Sequence, residues 1–220
     1  MHSFSRRNMH TPDIQLVIFD LGGVLIRLCD GWEHACELAG VTPTKPITDE
    51  DKHQLIQLVC REEVGALAHG EFYQRAAPLL GLTPEEALAM SDAWLRGPFD
   101  GIGDLIDAVH AAGLKTACLS NTNDNHWRAM TDPAHSNGLP LNRLHHRFAS
   151  HLVRDRKPNP TIYQHVAQTT GTPPGAIMFF DDSAENIAAA SAQGWHACHI
   201  INPKDPVPQM TSHLKRHNLI

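Results

Sequence analysis

The sequence predicts an α/β fold, a parallel sheet interrupted after its first strand by a helical insert. Two observations carry this expectation. Short apolar runs at residues 14–19, 116–119 and 177–180 each stop abruptly on polar residues, as strands covered on both faces of a parallel sheet do. Between Asp30 and Pro98, by contrast, strand signals vanish and apolar residues recur at helical spacing.

The first run, Ile14, Leu16, Val17, Ile18 and Phe19, ends on Asp20 and is broken by Gly22 and Gly23. Residues 24–28 lead away from Asp20. From Trp32 to about Pro98 the chain is rich in helix formers, with helical faces at Leu55, Leu58, Val59 and at Phe72, Ala76, Leu79, Leu80. Thr42-Pro43, Lys45-Pro46, Gly81, Thr83-Pro84 and Gly97-Pro98 mark its joints, and Thr83-Pro84-Glu85-Glu86 reads as a helix start. Phe72, Tyr73 and Trp94 are expected in the core of this insert rather than as a substrate box.

Alternation resumes at Gly101, where Ile102, Leu105, Ile106 and Val109 form one helical face that Gly113 ends. Residues 116–119 give the second strand, which stops on Ser120-Asn121-Thr122, and a third is expected near 148–152. Asp132-Pro133 and residues 136–140 read as loop. A basic loop, residues 154–160, precedes a helix over 162–170 opened by Asn159 or Pro160 and ended by Gly171. The strand at 177–180 ends on Asp181-Asp182, followed by a helix at 184–193, Gly194, and a last strand at 195–201. The Pro-rich tail from Pro203 reads as a surface segment with one short helix.

Composition narrows the function. The 220 residues carry 19% charged side chains and a formal net charge of −6, so no basic field draws the chain to nucleic acid or an anionic membrane. No apolar run approaches the ~20 residues of a membrane span. Sixteen histidines are many, but none form an HExxH or a Cys/His set at zinc spacing. Five dispersed cysteines without a CxxC pair argue for a reducing compartment, and a cytoplasmic protein is expected. The first dozen residues lack a signal-peptide core and read as a loose tail.

In an open parallel sheet the ligand crevice lies beyond the carboxyl ends of the strands. Three strands here end on Asp20, on Ser120-Asn121 and on Asp181-Asp182, with Lys157 in the loop between the last two. Each piece alone could be a turn or a helix N-cap. Three carboxylates together repel unless a cation sits among them, and an all-oxygen donor set suits Mg²⁺. A phosphoryl group could then be held by that ion on one side and by Lys157, Ser120 and backbone N–H groups on the other.

FDLGGVL, LSNTN, RKPNPTIYQHV and FFDDSAENI resemble, in order and spacing, the four motifs of the haloacid dehalogenase-like (HAD) hydrolases, most closely the bacterial sugar-1-phosphate phosphatases. The resemblance implies a Rossmann-like core (residues 1–29 and 99–220) with a helical cap at 30–98. It implies that Asp20 is the nucleophile forming an aspartyl-phosphate, that Ser120 and Asn121 hold the phosphate, and that Lys157 neutralises it. Asp20, the Gly22 carbonyl, Asp182 and the nearby Asp181 would hold Mg²⁺, and the substrate would be a small phosphorylated metabolite. The departure is Gly22, where most phosphatases of the family carry the Asp that protonates the leaving oxygen. Asp30, His69 and Glu71 are candidate substitutes; without one, acidic leaving groups should be favoured and the phosphoenzyme should accumulate. Rival readings are a metal-free 2-haloacid dehalogenase, against which Asp181-Asp182 argues, and a non-catalytic phosphate-binding protein.

Overall fold

The computed structural model describes residues 13–68, 70–132 and 139–220; the N-terminal tail, His69 and most of the loop expected after Asp132 lie outside them. Five strands form one parallel sheet: β1 (Leu16–Phe19), β4 (Lys115–Ser120), β5 (His146–Ala149), β6 (Ile177–Asp181) and β7 (His196–His199), in the order β5-β4-β1-β6-β7. β1 is central and wholly buried, which is why it reads as an unbroken apolar run. Phe19 pairs with Cys118 on one side and Phe180 on the other, so this register brings Asp20, Ser120 and Asp181 to one edge of the sheet.

Side chains alternate across the sheet as the pleat requires. Val17 and Phe19 pack with α5 (Ile102–Ala111) and α10 (Pro206–Arg216), while Leu16 and Ile18 pack with α8 (Pro160–Thr170) and Trp195. A third cluster lies in the insert, where Leu55, Phe72, Ala76, Leu80, Ala87 and Met90 meet. The insert consists of α1 (Trp32–Ala39), α2 (Asp49–Glu63), α3 (Glu71–Leu80) and α4 (Pro84–Ala93). α4 starts where the sequence predicts it to, with Thr83 and Glu86 closing a capping box; Thr48 and Asp51 do the same for α2.

The structure departs from expectation at five places. The insert is entered and left through an antiparallel pair, β2 (Ile26–Leu28) with β3 (Leu95–Pro98), too short and too solvent-facing to show in the sequence. α6 (Asp124–Thr131) follows the second motif, its N-terminus capped by Asn123. The strand expected at 148–152 ends at Ala149 and becomes the one-turn helix α7 (Ser150–Val153), and the last strand is confined to β7. α10 is no surface segment: Met210 and Leu214, an i,i+4 apolar pair, are fully buried, and Pro206 and Val207 extend that face against the core. α9 (Ala184–Ala192) lies where expected. No described helix is long and apolar enough to cross a membrane.

Candidate active site

The chain turns sharply after β1. The carbonyl of Leu21 accepts from the N–H groups of Val24, Leu25 and Ile26 at 3.2, 2.8 and 2.8 Å, and Gly23 takes φ 70°. A Cβ on Gly23 would stand 2.4 Å from Asp182 Oδ2, so glycine is needed here for conformation and for clearance of that carboxylate. A Cβ on Gly22 would stand 2.7 Å from Leu28 Cδ1, so Leu28 fills the space into which an acid at position 22 would project.

Lys157 is the buried centre of the site. Its side chain is 1% exposed, and its ammonium lies 2.6 Å from Asp181 Oδ2 and 3.0 Å from Asp20 Oδ1, with the Phe179 ring 5.4 Å beneath. Burial alone would depress the ammonium, but the carboxylates of Asp20 and Asp181 outweigh it and hold it protonated above its ordinary range. Asn121 fixes the loop that delivers it. Its amide donates to the Lys157 carbonyl and its oxygen accepts from the Lys157 N–H, both at 2.9 Å, so the Asn121 side chain clamps the Lys157 backbone and keeps one amide N–H for another partner. Thr122 is pinned behind it by reciprocal bonds with Ser150.

The three carboxylates divide. Asp181 is fully buried and both its oxygens are taken: Oδ2 by Lys157 and Asn186, Oδ1 by the Ser183 N–H at 2.8 Å and Asn186 at 3.0 Å. Asp20 has Oδ1 engaged by Lys157 and by the Leu21 N–H at 2.7 Å, while its Oδ2 makes no hydrogen bond among the described residues. Asp182 forms no ion pair among the described residues, and its backbone carbonyl is held by His199 Nε2–H at 3.0 Å. The three offer ligand oxygens within 4.8 Å of one another. Burial pushes Asp20 up, Lys157 pulls it back, and Asp181 and Asp182 push again, leaving its carboxyl raised to about 7. Burial and then Asp181 raise Asp182 in the same way.

A cavity of about 270 Å³ opens beside Gly22, Ser120 and Asn121. Its walls are mainly apolar and aromatic, with Leu28, Val59, Met90 and the tilted pair Trp32–Trp94, whose centroids are 5.2 Å apart. Phe72 and Trp94 thus serve the insert's packing and the cavity wall together. The polar positions on the wall are Glu62, Glu63, Ser91, Thr122, Asn123 and His126. Neither Asp30 nor Glu71 reaches it: Asp30 faces His34 and Lys204 at the exposed rim of a second cavity, and Glu71 pairs with Arg75 at the start of α3. His69 lies outside the described residues. Glu62 and Glu63, at the end of α2, carry no motif in the sequence; a pair of acids closing an amphipathic helix was the only signal.

Similarity to known proteins accords with this geometry. The chain is 28% identical to enolase-phosphatase E1 of Nocardia farcinica over 181 residues, 80% of this chain and 71% of that protein. It is 25% identical to phosphoglycolate phosphatase of Thiobacillus denitrificans over 194 residues, 82% of this chain and 80% of that one. Its match to a CBBY-like protein of Arabidopsis thaliana, 31% over 98 residues, spans 43% of this chain and only 29% of that protein's length. Among solved structures, a HAD family enzyme of Bacteroides thetaiotaomicron, in complex with magnesium, shares the fold at a TM-score of 0.74 and 23% identity, covering 93% of this chain and 99% of that one. An L-2-haloacid dehalogenase of Xanthobacter autotrophicus does so at 0.60 and 22%, covering 85% and 77%. The model of the haloacid dehalogenase-like hydrolases matches residues 14–194, a span holding every strand-end carboxylate and Lys157, and the chain belongs to that family.

Proposed function

We propose that the protein is a Mg²⁺-dependent phosphatase that acts on a small phosphorylated metabolite through an aspartyl-phosphate on Asp20. The observation that carries this reading is the division of the carboxylates: Asp181 is spent on Lys157 and Asn186, whereas Asp20 Oδ2 has no hydrogen-bond partner and the Asp182 carboxylate no ion pair among the described residues. Two such carboxylates side by side fit a hard divalent cation, with the Gly22 carbonyl as a third donor. Asp181, with both oxygens engaged, would support the ion from behind Lys157. When bound, the ion supplies charge neutralisation on the phosphoryl oxygens.

The residues then act in order. Lys157 and the Leu21 N–H fix the Asp20 carboxylate in place for attack on phosphorus. The same ammonium, with the Ser120 hydroxyl, meets the charge that builds on the phosphoryl oxygens. Asn121 contributes by fixing Lys157. Residues 30–98 form the cap over a core of 1–29 and 99–220. Related proteins support the chemistry: two are phosphatases, and the Bacteroides enzyme was also solved with magnesium and inorganic phosphate.

Within small metabolites, a sugar 1-phosphate suits the site. The Trp32–Trp94 platform matches the apolar face of a sugar ring, and Ser91, Asn123 and Glu62 match its hydroxyls. A hemiacetal leaving oxygen also demands less of the site than an alkoxide. The test is hydrolysis of p-nitrophenyl phosphate with Mg²⁺ and with chelator, beside an Asp20→Asn control, followed by a panel of sugar phosphates, nucleotides and acyl phosphates. Metal-dependent turnover that the control lacks supports the reading; metal-independent release of halide from a 2-haloacid would overturn it.

A further inference from the structure

Resting on that phosphatase reading, we infer that Glu62, delivered by the cap, is the general acid and base that Gly22 cannot supply. Leu28 occupies the place of an acid at position 22, so a proton donor must come from another wall of the cavity. Glu62 lines the same cavity as Gly22 and Ser120.

Its bonding leaves it suited to donate. Asn123 caps α6 with Oδ1, accepting from the His126 N–H at 2.8 Å, which fixes its amide so that Nδ2 donates to Glu62 Oε2 at 3.1 Å. Oε2 must therefore accept, and the proton of a neutral Glu62 belongs on Oε1. Oε1 makes no hydrogen bond among the described residues. The neighbouring charges do not neutralise it: Glu63 beside it is committed to Arg156 at 2.9 Å, Tyr73 is a hydroxyl bonded to Ser91, and no lysine or arginine among the described residues lines the cavity. Burial, helped by Glu63 and opposed by Asn123, holds the Glu62 carboxyl up to about 7, so it carries its proton near neutrality. His126 is excluded as donor, because its Nε2–H is bound to the Ser91 carbonyl at 2.9 Å and burial keeps the ring neutral.

The steps balance as follows. A carboxylate oxygen of Asp20 forms a bond to phosphorus as the ester P–O bond breaks, and the leaving oxygen takes the electron pair of that bond and the proton from Glu62. Glu62, now a carboxylate, accepts a proton from a water molecule whose oxygen bonds to phosphorus. The P–O bond to Asp20 then breaks, its electron pair returns to the carboxylate, and inorganic phosphate leaves. The steep leaving-group dependence and the burst expected from Gly22 alone should thus be absent in the parent protein and emerge when Glu62 is removed.

Glu62→Gln tests this, since the amide keeps the shape and an oxygen for Asn123. With Mg²⁺ present, the rate of phosphoenzyme formation is measured by rapid mixing for p-nitrophenyl phosphate and for an alkyl phosphate. The variant should form the intermediate from the aryl ester within ~3-fold of the parent rate and from the alkyl ester ~100-fold or more slowly, the span general acid catalysis commonly covers. It should also accumulate phosphoenzyme. Circular dichroism and melting establish that it is folded; if it is not, Glu62→Ala assayed with added formate takes its place and should recover part of the alkyl rate. Equal losses on both esters, or none, would overturn the assignment of Glu62 alone. Failure of the parent to hydrolyse either ester would overturn the phosphatase reading, and this one with it.

Discussion

Lys157→Met removes the one cation shared by Asp20 and Asp181 and keeps the volume. Truncating one partner of a buried ion pair costs ~3–5 kcal/mol, because the other charge is left in a medium that solvates it poorly. Here two carboxylates are left, with side chains 13% and 0% exposed. Both retain help: Asp181 keeps the Ser183 N–H and the Asn186 amide, and Asp20 keeps the Leu21 N–H. That places the loss near the lower end, ~3 kcal/mol, and since each kcal/mol moves Tm by ~2–4 °C in a chain of this size, the variant should melt ~6–12 °C below the parent. The sign with pH follows from the same charges. Burial, Asp181 and Asp182 already raise the Asp20 carboxyl, and without the ammonium it rises further in the folded state, so the deficit should grow as pH rises and shrink toward pH 5. Activity should fall further than stability suggests, by ~10²-fold or more in kcat/KM, because the charge is also withdrawn from the phosphoryl oxygens. The assay is paired: thermal melts at pH 5 and 7.5, and kcat/KM for p-nitrophenyl phosphate at a temperature where the variant is folded. A variant that melts with the parent at both pH values and stays within tenfold in kcat/KM would show that the ammonium holds neither carboxylate nor phosphate.

Three further outcomes can be checked alongside. Asp182→Ala should abolish Mg²⁺-dependent turnover and the rise in Tm on adding Mg²⁺, while its metal-free Tm should match or exceed that of the parent, since a raised, like-charged carboxyl has been removed; retained metal stabilisation would show that the ion sits elsewhere. Metal-free stability should fall as pH rises from about 4.5 to about 7, because over that window the folded state keeps the Glu62 proton that the unfolded chain has lost. Urea midpoints in chelator should show Glu62→Gln losing part of that slope, and an unchanged slope would place the titration in other groups. Gly22→Asp combined with Leu28→Ala, which clears the contact at 2.7 Å, should restore alkyl-ester phosphoenzyme formation in the Glu62→Gln background; no recovery would mean that a carboxyl at position 22 cannot reach the leaving oxygen.

The strand ends were legible because a buried parallel strand leaves an apolar run, and its stop marks the edge where ligands gather. Lys157 was legible only through its motif, since a lysine in a stretch with Arg154 and Arg156 looks solvated; the structure exposes the difference, with Arg156 turned to Glu63 and Lys157 enclosed. The role of the Asn121 side chain could not be read, because it depends on a backbone 36 positions away. Glu62 was missed for the same reason: its partner Asn123 is 61 positions distant, and no local pattern separates a carboxylate that faces a cavity from one that faces water. α6 escaped because its cap, Asn123, was absorbed into a motif, and the burial of the expected terminal helix, α10, because its buried face is made of Pro206, Met210 and Leu214 among polar neighbours.

The two glutamates closing α2 have consequences for anyone who would re-engineer this chain. One is a charged latch to Arg156 beside Lys157, and the other is an uncharged acid over the leaving group, yet they are consecutive residues on one helix end. Grafting a foreign cap between β2 and β3, the natural seam for swapping selectivity, would discard both at once. A chimera could bind a new phosphate ester well and still turn it over poorly unless the Glu-Glu pair at the end of α2 travels with the graft. With Glu62 as the proposed acid, the cap that walls the substrate cavity and the group that moves the proton form a single cassette.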